Sequence, residues 1–153
     1  MATAGFEFAY MLDGSGATPV IRDFTLSTAA AHKVGDLMVL GTDNDGPLTQ
    51  AAANATEVTA VCQEALALAA VTADTTKAKM AIITRNQVWR CSSDETSLTA
   101  VVGYTKAVDI VDCNTVDGSS TTGGAMCVVD SGTDDDGNAI AYVVFLDTTF
   151  GNT

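Results

Sequence analysis

AMCVVDSGTDDDGNAIAYVVFL, from Ala125 to Leu146, sets two apolar runs around one acidic, glycine-bounded turn. Val, Ile, Tyr and Phe fill the runs, and β-branched and aromatic side chains suit a pleated, packed surface. Asp, Asn and Gly between them tolerate the left-handed backbone that a tight turn requires. The stretch predicts a β-hairpin. Its second arm, AIAYVVFL over 139–146, is apolar throughout, which fits a strand buried on both faces or one covered by a partner.

The same turn chemistry occurs twice, as GTDNDGP over 41–47 and GTDDDGN over 132–138. An EF-hand calcium loop needs acidic residues at its first, third and fifth positions, Gly at the sixth and Glu at the twelfth. With Gly46 or Gly137 at the sixth position, the first positions are Gly41 and Gly132, and the twelfth are Ala52 and Val143. The first ligand and the closing bidentate carboxylate are missing from both, so the loops read as corners and no metal is expected.

Outward from this hairpin the chain repeats its pattern. FEFAY, PVIRDFTL, DLMVLG, EVTAVCQ, KMAIIT, QVWRC and LTAVVGY are short strand-like runs, most of them bounded by Gly, Asn, Asp or Ser. Such spacing predicts an all-β sandwich or barrel. In PVIRDFTL, Arg22 and Phe24 would share one face and Ile21, Asp23 and Thr25 the other. Two segments offer helix: EALALAAVTADTTKA over 64–78, rich in Ala and Leu but interrupted by Val71 and three threonines, for which a short helical turn is the expectation, and TAAAHKVG over 28–35, with Gly35 as its C-cap.

A chain of 153 residues makes about one domain, large enough for a core without staples. Hydrophobic residues are 47% and charged ones 17%, which excludes disorder. The net charge of -12, from 19 acidic and 7 basic residues, repels phosphate backbones and anionic lipid, so neither nucleic acid nor membrane is expected as a partner. No basic n-region precedes an apolar run at the N-terminus, so a soluble chain made in the cytoplasm is expected. Cys62, Cys91, Cys113 and Cys127 lie 29, 22 and 14 residues apart with no CxxC pair, which predicts buried free thiols rather than a zinc site.

Catalytic constellations are missing. His32 is the single histidine, no GxSxG, HExxH or P-loop occurs, and DGSSTTGGAM over 117–126 lacks the lysine that contacts phosphate. The chain is therefore expected to be no enzyme and to need no cofactor. Trp89, in QVWRC, reads as a core or contact anchor before a sugar platform.

The first residues differ from the rest. Phe6, Phe8 and Tyr10 alternate, and Gly, Ser and Pro follow as far as Pro19. This predicts an extended arm over residues 1–17, ahead of a β-rich domain over 18–153. Phe6, Phe8 and Tyr10 would share one face of the arm and, with Met11 and Leu12, carry its contacts to a neighbouring subunit.

One block resembles a known family. AHKVGDLMVLGTDNDGPLTQAAANATEVTAVCQEALALAAVTADTTKAKMAIITRNQVWRC, over 31–91, resembles the capsid decoration, or cement, proteins of tailed bacteriophages. In these a strand like VGDLMVL leads through a turn to a short strand, an apolar strand, a Thr/Ala-rich loop and a hairpin. GGAMCVVDSGTDDDGNAIAYVVFLDTTF likewise looks like the closing strands of phage head proteins, and the likeness spans about residues 18–150. The resemblance implies a small single-domain β-barrel or sandwich, β-tulip-like, with an extended N-terminal arm. It implies a structural virion protein on the outer capsid surface, bound to the major capsid protein and to copies of itself as a homotrimer. The alternative from another class is an adhesion or carbohydrate-binding β-module, with Trp89 and the acidic loops as its site.

Overall fold

The computed structural model describes residues 5–41, 47–53, 55, 57–99, 101–103, 107–119 and 126–150. Eleven strands are described: β1 (Glu7–Met11), β2 (Ile21–Thr25), β3 (Leu37–Leu40), β4 (Leu48–Gln50), β5 (Ala60–Cys62), β6 (Lys77–Ile82), β7 (Gln87–Ser92), β8 (Ala107–Asp112), β9 (Thr115–Asp117), β10 (Met126–Thr133) and β11 (Ala139–Phe145). They form two antiparallel sheets packed together as a small β-sandwich, in the orders β1-β7-β11-β10-β8-β9 and β2-β6-β5-β3-β4. The all-β reading holds.

Neither helix candidate becomes an α-helix. Within 64–78 a single 3-10 turn forms at Leu68–Ala70, and Lys77 and Ala78 already belong to β6. Over 28–35 the chain is irregular, and His32 forms a β-bridge with Leu66. The two segments run side by side at this bridge, where His32 and Leu66 exchange backbone hydrogen bonds of 2.8 and 2.9 Å, so pairing takes backbone groups that a helix would have satisfied internally.

The opening hairpin forms as read. Met126 to Thr133 pairs with Ala139 to Phe145 across the turn. Asp134 Oδ1 accepts the backbone N–H groups of Asp136 and Asn138, both at 2.9 Å, and Gly137 takes φ +85°. The second acidic loop is therefore a hairpin corner built on an aspartate side chain. Residues 42–46 of the first lie outside the described residues.

The two sheets contain one motif twice. β2 to β6 and β7 to β11 are each five consecutive strands arranged first, fifth, fourth, second, third. The register repeats as well. In the first unit the walk runs Leu26–Leu48, Leu40–Leu48, Met38–Ala60, Ala60–Ile82 and Arg22–Met80. In the second it runs Ser93–Val116, Ile110–Val116, Val108–Met126, Met126–Phe145 and Trp89–Val143. Each walk returns to its first strand four residues before its starting point. Five alternating strands leave the two outer ones running the same way, and the bridges Leu26–Leu48 and Ser93–Val116 are both parallel. Each sheet thus curls until the residue after its first strand meets its last. The two GTD loops are not equivalent within this repeat, since one joins β3 to β4 and the other β10 to β11.

Alternation along the strands then divides the apolar residues between two cores. Met38, Ala60, Cys62, Ala78 and Met80 line one face of the first unit and cluster with Leu26, Leu48 and Val71. Leu37, Val61 and Ala81 lie on the opposite face and join the main core. There they meet Val108, Met126, Val128, Ala141, Val143 and Phe145 of the second unit. The full apolarity of AIAYVVFL follows: Ala139, Ala141, Val143 and Phe145 face this core, while Val144 is buried on the other side. The cysteines are free thiols, with Cys62, Cys91 and Cys127 buried and Cys113 half-buried.

Candidate interaction surface

β1 pairs antiparallel with β7 of its own chain, at the edge of the larger sheet. The strand expected within an arm over 1–17 lies here along the sandwich. Phe6 is 2% exposed, its ring 5.5 Å from that of Phe145, and Phe8 stands edge-on to Trp89 at 5.6 Å. Aromatic side chains this large are most stable when a core takes them up.

Period two does not hold through β1. The pairing shifts between Phe8 and Tyr10, leaving Ala9 as an extra residue. A bulge of this kind turns the following side chains by one position. Met11 takes the inward place and is buried, while Tyr10 is turned out and is 45% exposed. Of the expected contact residues, Phe6, Phe8 and Met11 therefore face their own chain, and Tyr10 and Leu12 face outward.

Gly5 and Gly35 bring the start of β1 against the turn before β3. Both have positive φ, +104° and +98°, and a Cβ on either would come within 3.0 Å of the other's Cα. Phe6 donates its N–H to the Gly35 carbonyl at 2.8 Å. After β1 the chain crosses through residues 12–20 to β2, the edge of the smaller sheet. Between the two edges opens an apolar cleft of about 360 Å³, lined by Phe6, Phe8, Pro19, Ile21, Val34, Ala81 and Trp89. A second hollow of about 470 Å³ follows, lined by Met11, Val20, Ile82, Thr84, Arg85 and Gln87 among others.

Exposed apolar groups gather on this side. Among the described residues the exposed large hydrophobics include Ile21, Val34 and Val20 in the two hollows, and Tyr10 and Leu12 on either side of Met11. Ile21 and Val34 in one hollow and Val20 in the other are exposed apolar side chains of the kind that gather at contact sites. Among the described residues the one charged residue lining the cleft is Glu7, although the sequence segments that build its walls are less acidic than the rest. Residues 5–35 and 77–92 carry six cations, Arg22, Lys33, Lys77, Lys79, Arg85 and Arg90, against Glu7, Asp13 and Asp23, a net of +3 within a chain of -12.

Other polar groups are occupied structurally. Asp36, buried, accepts from Lys33 N at 3.0 Å and Gln50 Nε2 at 2.7 Å. His32 is buried, with Nδ1 2.8 Å from the Ala30 carbonyl. Trp89 is 1% exposed and donates Nε1–H to Gln87 Oε1 at 3.2 Å, so its ring has no free face for a sugar. Burial pushes the thiols of Cys62 and Cys91 up, and burial beside Asp36 pushes Cys113 up to about 12. Among the described residues no three His, Cys, Asp or Glu side chains are grouped to hold a metal ion.

The cleft's second wall was not legible from the arm. Ile21 and Val34 looked like ordinary strand and loop residues, and only the placing of β2 at a sheet edge exposes them. The one available signal was the pair Val20–Ile21, apolar and adjacent, just after Pro19.

No family model, curated protein or solved structure matches this chain.

Proposed function

We propose that this chain is a structural virion protein that binds the outer surface of a phage capsid as a trimer and stabilises the junctions between capsomers. The observation that carries the reading most is the apolar cleft between β1 and β2 with its rim of exposed hydrophobics, a surface made for protein contact. The resemblance of residues 31–91 to decoration proteins supplies the kind of partner. Tyr10 and Leu12 remain its candidate contact residues because they are the exposed apolar side chains of β1 and the residue after it.

The mechanism is mass action. A protein that binds the assembled shell and not its separated subunits lowers the free energy of the assembled state with every copy bound. Many weak contacts at capsomer junctions then resist outward pressure without any catalytic group. The test is co-sedimentation with empty expanded shells and, in parallel, with dissociated capsomers. Saturable pelleting with the shells alone, and a rise in the temperature at which they disrupt, are expected. Absence of pelleting, or retention on immobilised glycan instead, would overturn the reading in favour of the adhesion module.

A further inference from the structure

The internal repeat shows the same edge covered in one unit and bare in the other. In the second unit β1 lies antiparallel along the outer side of β7, pairing with Gln87, Val88, Trp89 and Arg90. The matching positions in the first unit are Val20 to Asp23, since Ser93 corresponds to Leu26 in the bridge that closes each sheet. No described strand pairs with that side of β2, which ends its sheet. Hydrogen bonds fix which groups the bare side presents. Val20 accepts from the Ile82 N–H and Leu26 donates to the Thr76 carbonyl, both at 2.9 Å, so Arg22 and Phe24 between them also bond to β6. Alternation then turns the backbone N–H and C=O of Ile21 and Asp23 outward. The Ile21 carbonyl accepts from the exposed side chain of Arg22 at 3.0 Å, in place of a neighbouring strand.

The covered edge tells what the bare one fits. Val88 and Arg90, the counterparts of Ile21 and Asp23, face Tyr10 and Glu7 of an extended antiparallel strand. An unpaired edge is a template for such a strand. Ile21 is 45% exposed and lines the apolar cleft with Phe6, Phe8, Val34 and Trp89, so an apolar side chain set opposite Ile21 has a place to enter. The same edge of a second copy fits poorly. Antiparallel pairing centred on the exposed residues sets Arg22 against Arg22 or Asp23 against Asp23, and like charges directly opposite destabilise a sheet. This favours a strand of another sequence over self-pairing of the edge.

We propose that β2 receives an extended strand of the partner protein by antiparallel addition, with backbone bonds to Ile21 and Asp23 and one bulky apolar side chain opposite Ile21 seated in the cleft. The segment is free of proline where it bonds β2, because proline lacks the N–H that a ladder needs. Naming the capsid as the source of that strand rests on the function proposed above, whereas the edge's taking a strand does not.

The experiment is backbone amide exchange on the purified full chain, with a synthetic peptide of residues 5–12 as probe. That peptide copies the strand that covers the equivalent edge, and its alternate rings can stand opposite Ile21. At millimolar concentration it is expected to slow exchange of the Ile21 and Asp23 N–H groups, while Arg22 and Phe24, already bonded to β6, stay slow throughout. Methylating alternate peptide nitrogens gives two forms, of which one is expected to keep this protection and the other to lose it. Asp23→Pro removes one outward N–H and no bond to β6, so the variant is expected to melt close to the parent and to lose the peptide's effect. Absence of protection at Ile21 and Asp23 overturns the proposal, as does equal protection by both methylated forms. If Asp23→Pro does not fold, the methylated pair on the parent chain decides alone. With empty shells, Asp23→Pro is expected to lose the pelleting that the parent shows, and a variant that pellets like the parent overturns the capsid strand as occupant. A parent that does not pellet ends the functional reading, and the peptide still decides the edge.

Discussion

Replacing Phe6 by alanine tests whether β1 belongs to the core of its own chain. The ring is almost wholly buried, packs against Phe145 at 5.5 Å and sits one residue from the Gly5–Gly35 approach. Truncating a buried Phe to Ala costs about 3–5 kcal/mol, from transfer and from the cavity left behind. The upper half applies here, because the tilted ring pair is lost and the glycine approach limits collapse. With a urea slope of roughly 2 kcal/mol per molar, the midpoint should fall by about 2 M at unchanged slope. Trp89, in contact with Phe8, reports the transition by its fluorescence. The companion is deletion of residues 2–17, which removes β1 and bares β7 and the Trp89 side of the core; the truncated chain should unfold or aggregate. Tyr10→Ser, at an exposed position beyond the bulge, should change stability by less than about 1 kcal/mol. A truncated chain that melts like the parent would refute the reasoning and return Phe6, Phe8 and Met11 to a detachable arm.

Gly35→Ala should cost about 2 kcal/mol or more, since φ is +98° and the new Cβ would lie 3.0 Å from Gly5 Cα; a melting temperature within a degree of the parent would count against that close approach. Native thiols should resist Ellman's reagent at pH 8: with its pKa at about 12, Cys113 forms thiolate about a thousandfold less than a thiol at 9.0, and all four should react once urea is added. Raised thiol pKa values also set the alkaline limit. Below pH 9 both states keep these protons and stability is full; above it the unfolded chain sheds them first, so stability falls as pH rises, by up to about 1.4 kcal/mol per pH unit for a thiol as deeply buried as Cys91. Cys91→Ala should flatten that decline, read from urea midpoints between pH 8 and 10.5. Asp134→Ala should cost about 1–2 kcal/mol through two lost backbone hydrogen bonds, while millimolar calcium should leave the parent's melting temperature unchanged.

Most strands and their turns were legible because their determinants are local, but LTAVVGY forms no strand among its described residues, where Val101 and Val102 donate to the Leu98 carbonyl in a turn, and β8 and β9 were not read from the sequence. Asp134 makes its own corner, and the apolar runs on either side have the composition of strands whatever they pair with. What was not legible lies at longer range. The Ala- and Leu-rich stretch over 64–78 gives only its expected short turn, at Leu68–Ala70, because Leu66 is bridged to His32 and Lys77 already enters β6, so tertiary pairing outweighs a weak propensity. The bulge at Ala9 leaves no mark in FEFAY, since it is set by how β1 meets β7. The repeat was hidden for the same reason. Equivalent places hold Arg22 and Trp89, Leu26 and Ser93, Met80 and Val143, so register is shared where residue type is not. The one visible repeat, GTDNDGP and GTDDDGN, joins loops that the fold does not equate.

That hidden repeat explains why one side of the molecule is left open. Were the two units related by a two-fold axis, the same face of each would meet and both edges would be covered alike. Instead the outer face of the first unit, through Leu37, Val61 and Ala81, fills the inside of the second. The contact is therefore heterologous within the chain, and its two ends are unlike. At one end β1 is recruited to cover β7, placing Phe8 over Trp89. At the corresponding place on β2 the position of Trp89 is taken by Arg22, an exposed charge of the kind that keeps a lone edge in water. An asymmetric internal join leaves an asymmetric surface, with the β2 edge open beside an apolar cleft while β1 covers the matching edge of β7.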